Sequence, residues 1–237
     1  MIIITMAGLS SRFARAGYAL PKYALDLHGR TMFDWAIHSF ERYFDSEHFL
    51  FVVRPDGFAK AFVTDAVQKL GISRYDTVEL EHDTRGQAET AYLALQEYAS
   101  DFPVTIFNID TIRYDYQKPD FLDACDGYLE VFKGDGEHWS FVDPGVDSSV
   151  VRTTEKDRIS DLCSDGLYYF KSQFQFRQIF EQALALNEQV KGEFYIAPLY
   201  NQLISAGGVV KYAVIDMEQI DFCGTPDEYQ ALLKKAV

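Results

Sequence analysis

Through the first 110 residues, short uninterrupted apolar runs alternate with segments whose apolar positions recur every three or four residues. Ile2 to Thr5, Phe49 to Val53, Thr77 to Leu80 and Val104 to Ile109 are of strand length, and a strand buried on both faces needs no alternation. Between them, Phe33, Ile37, Phe40 and Phe44 share one helical face. Phe58 to Leu70 forms an amphipathic stretch that stops at Gly71, and Ala88, Ala91, Tyr92, Leu95 and Tyr98 define a third face. This β-α-β-α-β-α-β order predicts an α/β fold, a mainly parallel sheet with helices on both faces.

The texture changes after Asp110. Residues 128–132, 138–142, 149–152 and 167–170 are short β-type runs separated by Gly, Asp and Ser turns. A long helix is expected from Gln173 to Asn187, another after Tyr195, a strand from Val209 to Ile215, and a last helix from Thr225. Thr225-Pro226-Asp227-Glu228 has capping-box spacing with proline at the first helical position. No repeat, low-complexity tract or linker breaks the chain, so residues 1–237 are expected to form one unit with halves at 1–110 and 111–237.

A net charge of −14 argues against a nucleic-acid partner or an anionic membrane surface. Any phosphate ligand must be held by local cations against the overall field. Cys125, Cys163 and Cys223 are far apart and share no zinc spacing with the five histidines, so reduced thiols are expected. With no basic leader and no membrane-length apolar run, a soluble, cytoplasmic protein is expected. Helix faces rich in Phe and Tyr offer a contact for a homodimer.

Against that acidic background, the segment after the first strand stands out. Ala7, Gly8, Leu9, Ser10 and Ser11 form a small-residue loop that leaves its N–H groups open, and Arg12 and then Lys22 follow. Such donors beside two cations suit a triphosphate. No Gly-Lys-Ser/Thr closes a Walker loop, and there is no Rossmann fingerprint. The plain alternative is a strand-to-helix turn with solvated cations. The Gly8 loop, the turn from Asp83 to Gly86, and Asp110 all follow predicted strands, which places them at the one sheet edge where open α/β folds bind ligands. Asp110 there suits Mg²⁺, which is commonly shared between carboxylates and substrate phosphates; its plain alternative is a turn or cap residue. Thr84 with Gln87 also has the spacing of a capping box.

The Gly8 loop, Arg12 and Pro21-Lys22 together resemble the signature of the sugar nucleotidyltransferases, with Leu9-Ser10 in place of the usual second glycine. The resemblance runs from Met1 to about Tyr229 and is nearest to the compact enzymes of capsule and surface-polysaccharide biosynthesis. It implies a Rossmann-like, three-layer α/β/α fold with a mainly parallel mixed sheet. It also implies transfer of a nucleotide from an NTP, CTP or UTP/dTTP, to a sugar phosphate or similar small phosphorylated acceptor, with release of pyrophosphate.

On this resemblance Asp110 is a metal ligand. The second is Asp221, one residue farther from Gly224 than in the family's Asp-x-Gly-Thr-Pro, a displacement that a bulge would correct. Asp83, Gly86 and Gln87 correspond to the segment under the nucleobase, with Asp83 in place of the base-reading glutamine. Asn108 lies on the acceptor side. Lys156 in Thr154-Glu155-Lys156 corresponds to the lysine on the acceptor phosphate, Gly166 to the glycine beside the sugar, and Glu193 to a hydroxyl acceptor. Arg12 would hold the leaving pyrophosphate and Lys22 the α-phosphate.

Two other readings compete. In a glycosyltransferase of the related fold, Asn108-Ile109-Asp110 would be the metal motif and a nucleoside diphosphate would leave. A regulatory domain without catalysis would bind NTP and not turn it over.

Overall fold

The computed structural model describes residues 1–235. In chain order the first half contains β1 (Ile2–Thr5), α1 (Ser11–Arg15), β2 (Asp26–Leu27), β3 (Arg30–Thr31), α2 (Met32–His38), β4 (Phe49–Val53), α3 (Ala59–Leu70), β5 (Tyr75–Glu79), α4 (Gln87–Leu95) and β6 (Val104–Asn108). The second half adds β7 (Thr111–Arg113), β8 (Gly127–Lys133), β9 (Ser140–Pro144), β10 (Val150–Glu155), β11 (Leu162–Phe170), α5 (Gln173–Leu186), α6 (Tyr200–Ser205), β12 (Val210–Ile215), β13 (Ile220–Phe222) and α7 (Pro226–Lys234).

One mixed sheet runs in the order β10-β9-β11-β6-β1-β4-β5, with β8 beside β11 and β12 beside β8. Strands β6, β1, β4 and β5 are mutually parallel, whereas β11 is antiparallel to β6, β8 and β9. Successive residues of the parallel strands enter opposite cores, as the period of two requires. Ile3, Leu50, Val52 and Ile106 pack with α4, α5 and α6 on one face. Ile2, Ile4, Phe49, Phe51 and Phe107 pack with α2 and α3 on the other. Helices therefore cover both faces of an α/β sheet.

Ends signalled by chemistry fall where expected. Gly71 and Asn187 close α3 and α5 in the left-handed region, and Thr225 accepts from Glu228 N while the Glu228 side chain returns to Thr225 N. Elsewhere the pattern misleads. The face running from Phe33 to Phe44 is two elements, because α2 stops at His38 and a 3₁₀ turn at Glu41–Tyr43 follows. The run at 167–170 is the end of a longer strand, β11, whose pairing with β8 slips between Ser164 and Tyr168. Cys125, Cys163 and Cys223 are free and buried. Among the described residues, no helix is long and apolar enough to cross a membrane.

Candidate active site

The four parallel strands end at one edge, and the loops leaving that edge carry the candidate residues. A Cβ on Gly8 would meet nothing within 4 Å, so the loop after β1 faces open space. Ser10 takes a left-handed conformation and its Oγ accepts from Lys22 N at 3.4 Å, tying the loop to Pro21-Lys22. Lys22 Nζ donates to Asp110 Oδ2 at 2.5 Å. Burial alone would raise the Asp110 carboxyl, but the charge and hydrogen bond of Lys22, its own backbone N–H and Arg12 outweigh that and hold it below the usual carboxylate range. Lys22 and Asp110, 88 residues apart, are thus brought into contact.

The turn before α4 departs from its expected form. Gly86, not Thr84, is the N-cap; Thr84 Oγ1 bonds Thr90 Oγ1 instead, and Gln87 Nε2 reaches Thr5 Oγ1 at 3.2 Å. Gln87 is therefore fixed to the end of β1. Gly86, at φ 120°, lies where a Cβ would be 2.5 Å from Phe194 O, so its smallness admits the Phe194 backbone. Ala88 N donates to Phe194 O and Phe194 N to Arg85 O, locking the two halves together at this point. Asp83 pairs with Arg54 at 3.1 Å. Arg54 directly follows β4, the strand paired with β1.

A cavity of about 680 Å³ opens next to Arg12 and is lined also by Glu137, His138, Lys156, Lys191, Glu193 and Tyr195. It gathers three expected residues, Arg12, Lys156 and Glu193. The local backbone explains the presentation. Val190 and Glu193 exchange both hydrogen bonds across Lys191 and Gly192, each at positive φ, which is the geometry of a two-residue hairpin turn. Lys156 also holds positive φ, 56°, at the turn after β10. Its ammonium donates to Tyr195 Oη and stands 3.4 Å from Glu155 Oε1. Burial raises the Tyr195 phenol, and Glu193 adds to the rise, so Tyr195 remains a neutral donor. Asn108 and Gly166 also meet: Gly166 sits at φ 97° in the slipped segment of β11, and a Cβ there would collide with Asn108 Nδ2.

Asp221 is not brought to Asp110. Strand β13 pairs with β7 without interruption, Asp221 opposite Ile112 and Phe222 opposite Thr111, so no bulge turns the side chain. Asp221 instead accepts from Lys235 Nζ at 2.7 Å and from Tyr114 Oη at 2.7 Å, beside a separate cleft lined by His28, Trp35 and Leu232. Phe222 takes the other face and packs on Trp139 and Phe132. The turn that follows does reach the site: Cys223 N donates to Asp110 O. A Cβ on Gly224 would lie 3.2 Å from Asp110 Oδ2 and 3.6 Å from Glu228 Oε2. Glu228, legible in sequence only as a cap, faces the same glycine as Asp110.

Behind β7 lies a buried ionic group with no counterpart among the expected residues. Arg113 Nε donates to Glu130 Oε2 at 2.7 Å, both almost fully enclosed. Asp165 is 2% exposed, and its Oδ2 has no partner. Burial and the neighbouring Glu130 charge push the Asp165 carboxyl well up from its ordinary value. Alternation could not find it, because the acids occupy strand positions otherwise filled by apolar residues.

Among the described residues no cluster of three or more His, Cys, Asp or Glu could hold a metal alone. The donor set still fits Mg²⁺, which binds through one or two carboxylates and completes its shell with phosphates and water. Asp110 is an ionised carboxylate linked through Lys22 to the Gly8 loop.

An α/β sheet with a small-residue loop, a Lys–Asp pair and a cation-lined cavity at one strand edge defines the class of nucleotide-diphospho-sugar nucleotidyltransferases. No protein-family model and no curated protein matches the sequence. Solved structures do. The crystal structure of a nucleoside-diphosphate-sugar pyrophosphorylase from Vibrio cholerae RC9 is 45% identical, covers 99% of this chain and 100% of its own, and superposes with a TM-score of 0.96. The chain belongs to that family, and it is a nucleotidyltransferase. The inositol-1-phosphate CTP transferase from T. maritima (14% identity, 100% and 96% coverage, TM-score 0.76) shares the fold. So does a UDP-glucose pyrophosphorylase complexed with UDP-glucose (13%, 98% and 96%, TM-score 0.75).

Proposed function

We propose that this nucleotidyltransferase transfers a nucleotidyl group from a pyrimidine NTP (CTP or UTP/dTTP) to a sugar phosphate, with pyrophosphate leaving. The observation that carries the reading is the contact of Lys22 with Asp110 at the foot of the Gly8 loop, next to a cavity lined by Arg12, Lys156 and Glu193. The acceptor's phosphate oxygen attacks the α-phosphorus in line. One P–O bond forms, the bond to the β-phosphate bridge breaks, and its electron pair leaves with pyrophosphate. A phosphate monoester is already a competent nucleophile, so the protein's task is to let two polyanions approach and to stabilise charge on the leaving oxygens.

In this reading the N–H groups of Ala7, Gly8, Leu9, Ser10 and Ser11 receive the triphosphate, and Arg12 holds its β- and γ-phosphates. Lys22 moves from Asp110 to the α-phosphate. Asp83, Gly86 and Gln87 flank the nucleobase side. Lys156 receives the acceptor phosphate, while Asn108, Gly166 and Glu193 border the sugar, with Glu193 accepting from hydroxyls. Asp110 would hold Mg²⁺ together with substrate phosphates; when bound, the ion neutralises phosphate charge. Asp221 has no place in this scheme. A role in surface-polysaccharide precursor synthesis is consistent with such a product.

The test is a coupled pyrophosphate assay over the four NTPs and dTTP, each with a panel of hexose 1-phosphates and Mg²⁺. The reading expects acceptor-dependent pyrophosphate release with a pyrimidine nucleotide. Release of a nucleoside diphosphate, or NTP binding without turnover, would overturn it.

A further inference from the structure

The cavity has a wall that the proposed roles leave unused, the loop of residues 134–138 carrying Glu137 and His138. For an exposed five-residue loop it is held by an unusual number of restraints. Arg158 Nη1 donates to Gly136 O and Nη2 to Gly134 O, both at 3.0 Å, and the same guanidinium lies 3.7 Å from Asp135 Oδ1. Trp139 Nε1 donates to Asp135 O at 2.9 Å. Ordering a loop costs backbone entropy, which these bonds offset.

What they fix is an imidazole. His138 lies against the Trp139 indole with ring centroids 4.3 Å apart, and the indole in turn packs on Phe222 and Phe132. Gly136, at φ 91°, leaves the room: a Cβ there would stand 3.0 Å from His138 Nδ1. Lys156 N donates to Trp139 O, so the turn bearing the cavity's lysine and the loop bearing its histidine are one hydrogen-bonded unit.

Arg12, Lys156 and Lys191 can only donate hydrogen bonds, and Glu193 can only accept while ionised; an imidazole does both, which suits a hydroxyl. We infer that His138 is a specificity-determining residue that hydrogen-bonds the non-phosphate part of the acceptor, and that Arg158 is the positioning residue that holds its loop. This rests on the cavity being the acceptor side, as proposed above.

The experiment reads binding and turnover separately. The chain has two tryptophans, so Trp35→Phe leaves Trp139 as the sole indole reporter. In full-length Trp35→Phe protein, titrated α-D-glucose 1-phosphate is expected to change Trp139 emission saturably. His138→Ala and Arg158→Lys are each expected to weaken the midpoint about tenfold, the value of one hydrogen bond. In turnover assays the same variants are expected to raise KM for the acceptor about tenfold and leave KM for NTP within about twofold. No saturable response, an unchanged midpoint in both variants, or both KM values rising together would overturn the inference. Failure of the parent reading is distinct: no pyrophosphate with any NTP, while the emission response and its loss in His138→Ala persist.

Discussion

The two halves of the site are built differently. On the nucleotide side, Lys22 and Asp110 leave a 3₁₀ turn and a strand end and lock onto each other, and Gln87 is pinned to Thr5. Among the residues of the proposed nucleotide side only Ser10 and Gly86 take positive φ, whereas the proposed acceptor side gathers more such residues: Lys156, Lys191, and the glycines 136, 166 and 192. Left-handed non-glycine residues cost of order 1–3 kcal/mol each and persist where the surroundings over-determine them. The difference suggests a division of labour. In the proposed reading the sheet edge supplies the charge arrangement for phosphoryl transfer, and the turns shape the cavity that takes the acceptor.

The sharpest way to break this contrast is to remove a charge from the sheet edge. Lys22→Ala and Asp110→Asn should each lower kcat about a hundredfold or more, equivalent to about 3 kcal/mol of transition-state stabilisation. Thermal melts should show both variants folded.

The seam between the halves comes next. Gly86→Ala would push a methyl into the Phe194 backbone at a positive φ, and should destabilise by about 1–3 kcal/mol, a fall of several degrees in Tm. It should raise KM for both substrates, since nucleotide and acceptor walls meet there.

A smaller effect tests the buried acids that support both sides. Burial and Glu130 raise the Asp165 carboxyl in the folded chain above its unfolded value, so unfolding releases a proton between the two and stability falls as pH rises from the ordinary carboxylate range toward the raised folded value. Asp165→Asn still accepts from Leu167 N and carries no titrating proton. Calorimetry should therefore show the Tm of the variant gaining on the parent as pH rises above the ordinary carboxylate range. A constant difference would mean that the acid is already ionised.

The smallest effect is the most discriminating for the metal side. Asp221→Asn should leave turnover within about twofold and cost only about 1 kcal/mol, because Lys235 is half-exposed and an asparagine oxygen can still accept from Tyr114 Oη. A hundredfold loss would return Asp221 to the reaction.

What was legible in sequence follows the same contrast. Uninterrupted runs such as Phe49–Val53 and stop signals such as Gly71 depend on neighbours in the chain, and they fell in place. Lys22 and Asp110 were singled out from the Pro-Lys pair and the strand end, and the structure brings the two side chains into contact. Asp221 was misread because its direction depends on the parity of a three-residue strand paired with β7, which no local pattern reveals. Gln87 has the spacing of a cap, yet its partner lies 82 residues away. His138 and Tyr195 were missed because only the folded loops bring them to the cavity. Phe222 occupies the place where the resembling enzymes carry the acid, and it supports the His138 loop through Trp139.

The most direct test of the central claim is a crystal structure with CTP or dTTP and Mg²⁺. The expected result is the triphosphate along residues 7–11 with Arg12 on its outer phosphates, Lys22 drawn from Asp110 to the α-phosphate, and the metal on Asp110. A triphosphate directed away from Gly8, with the Lys22–Asp110 pair intact and no metal beside it, would contradict the account.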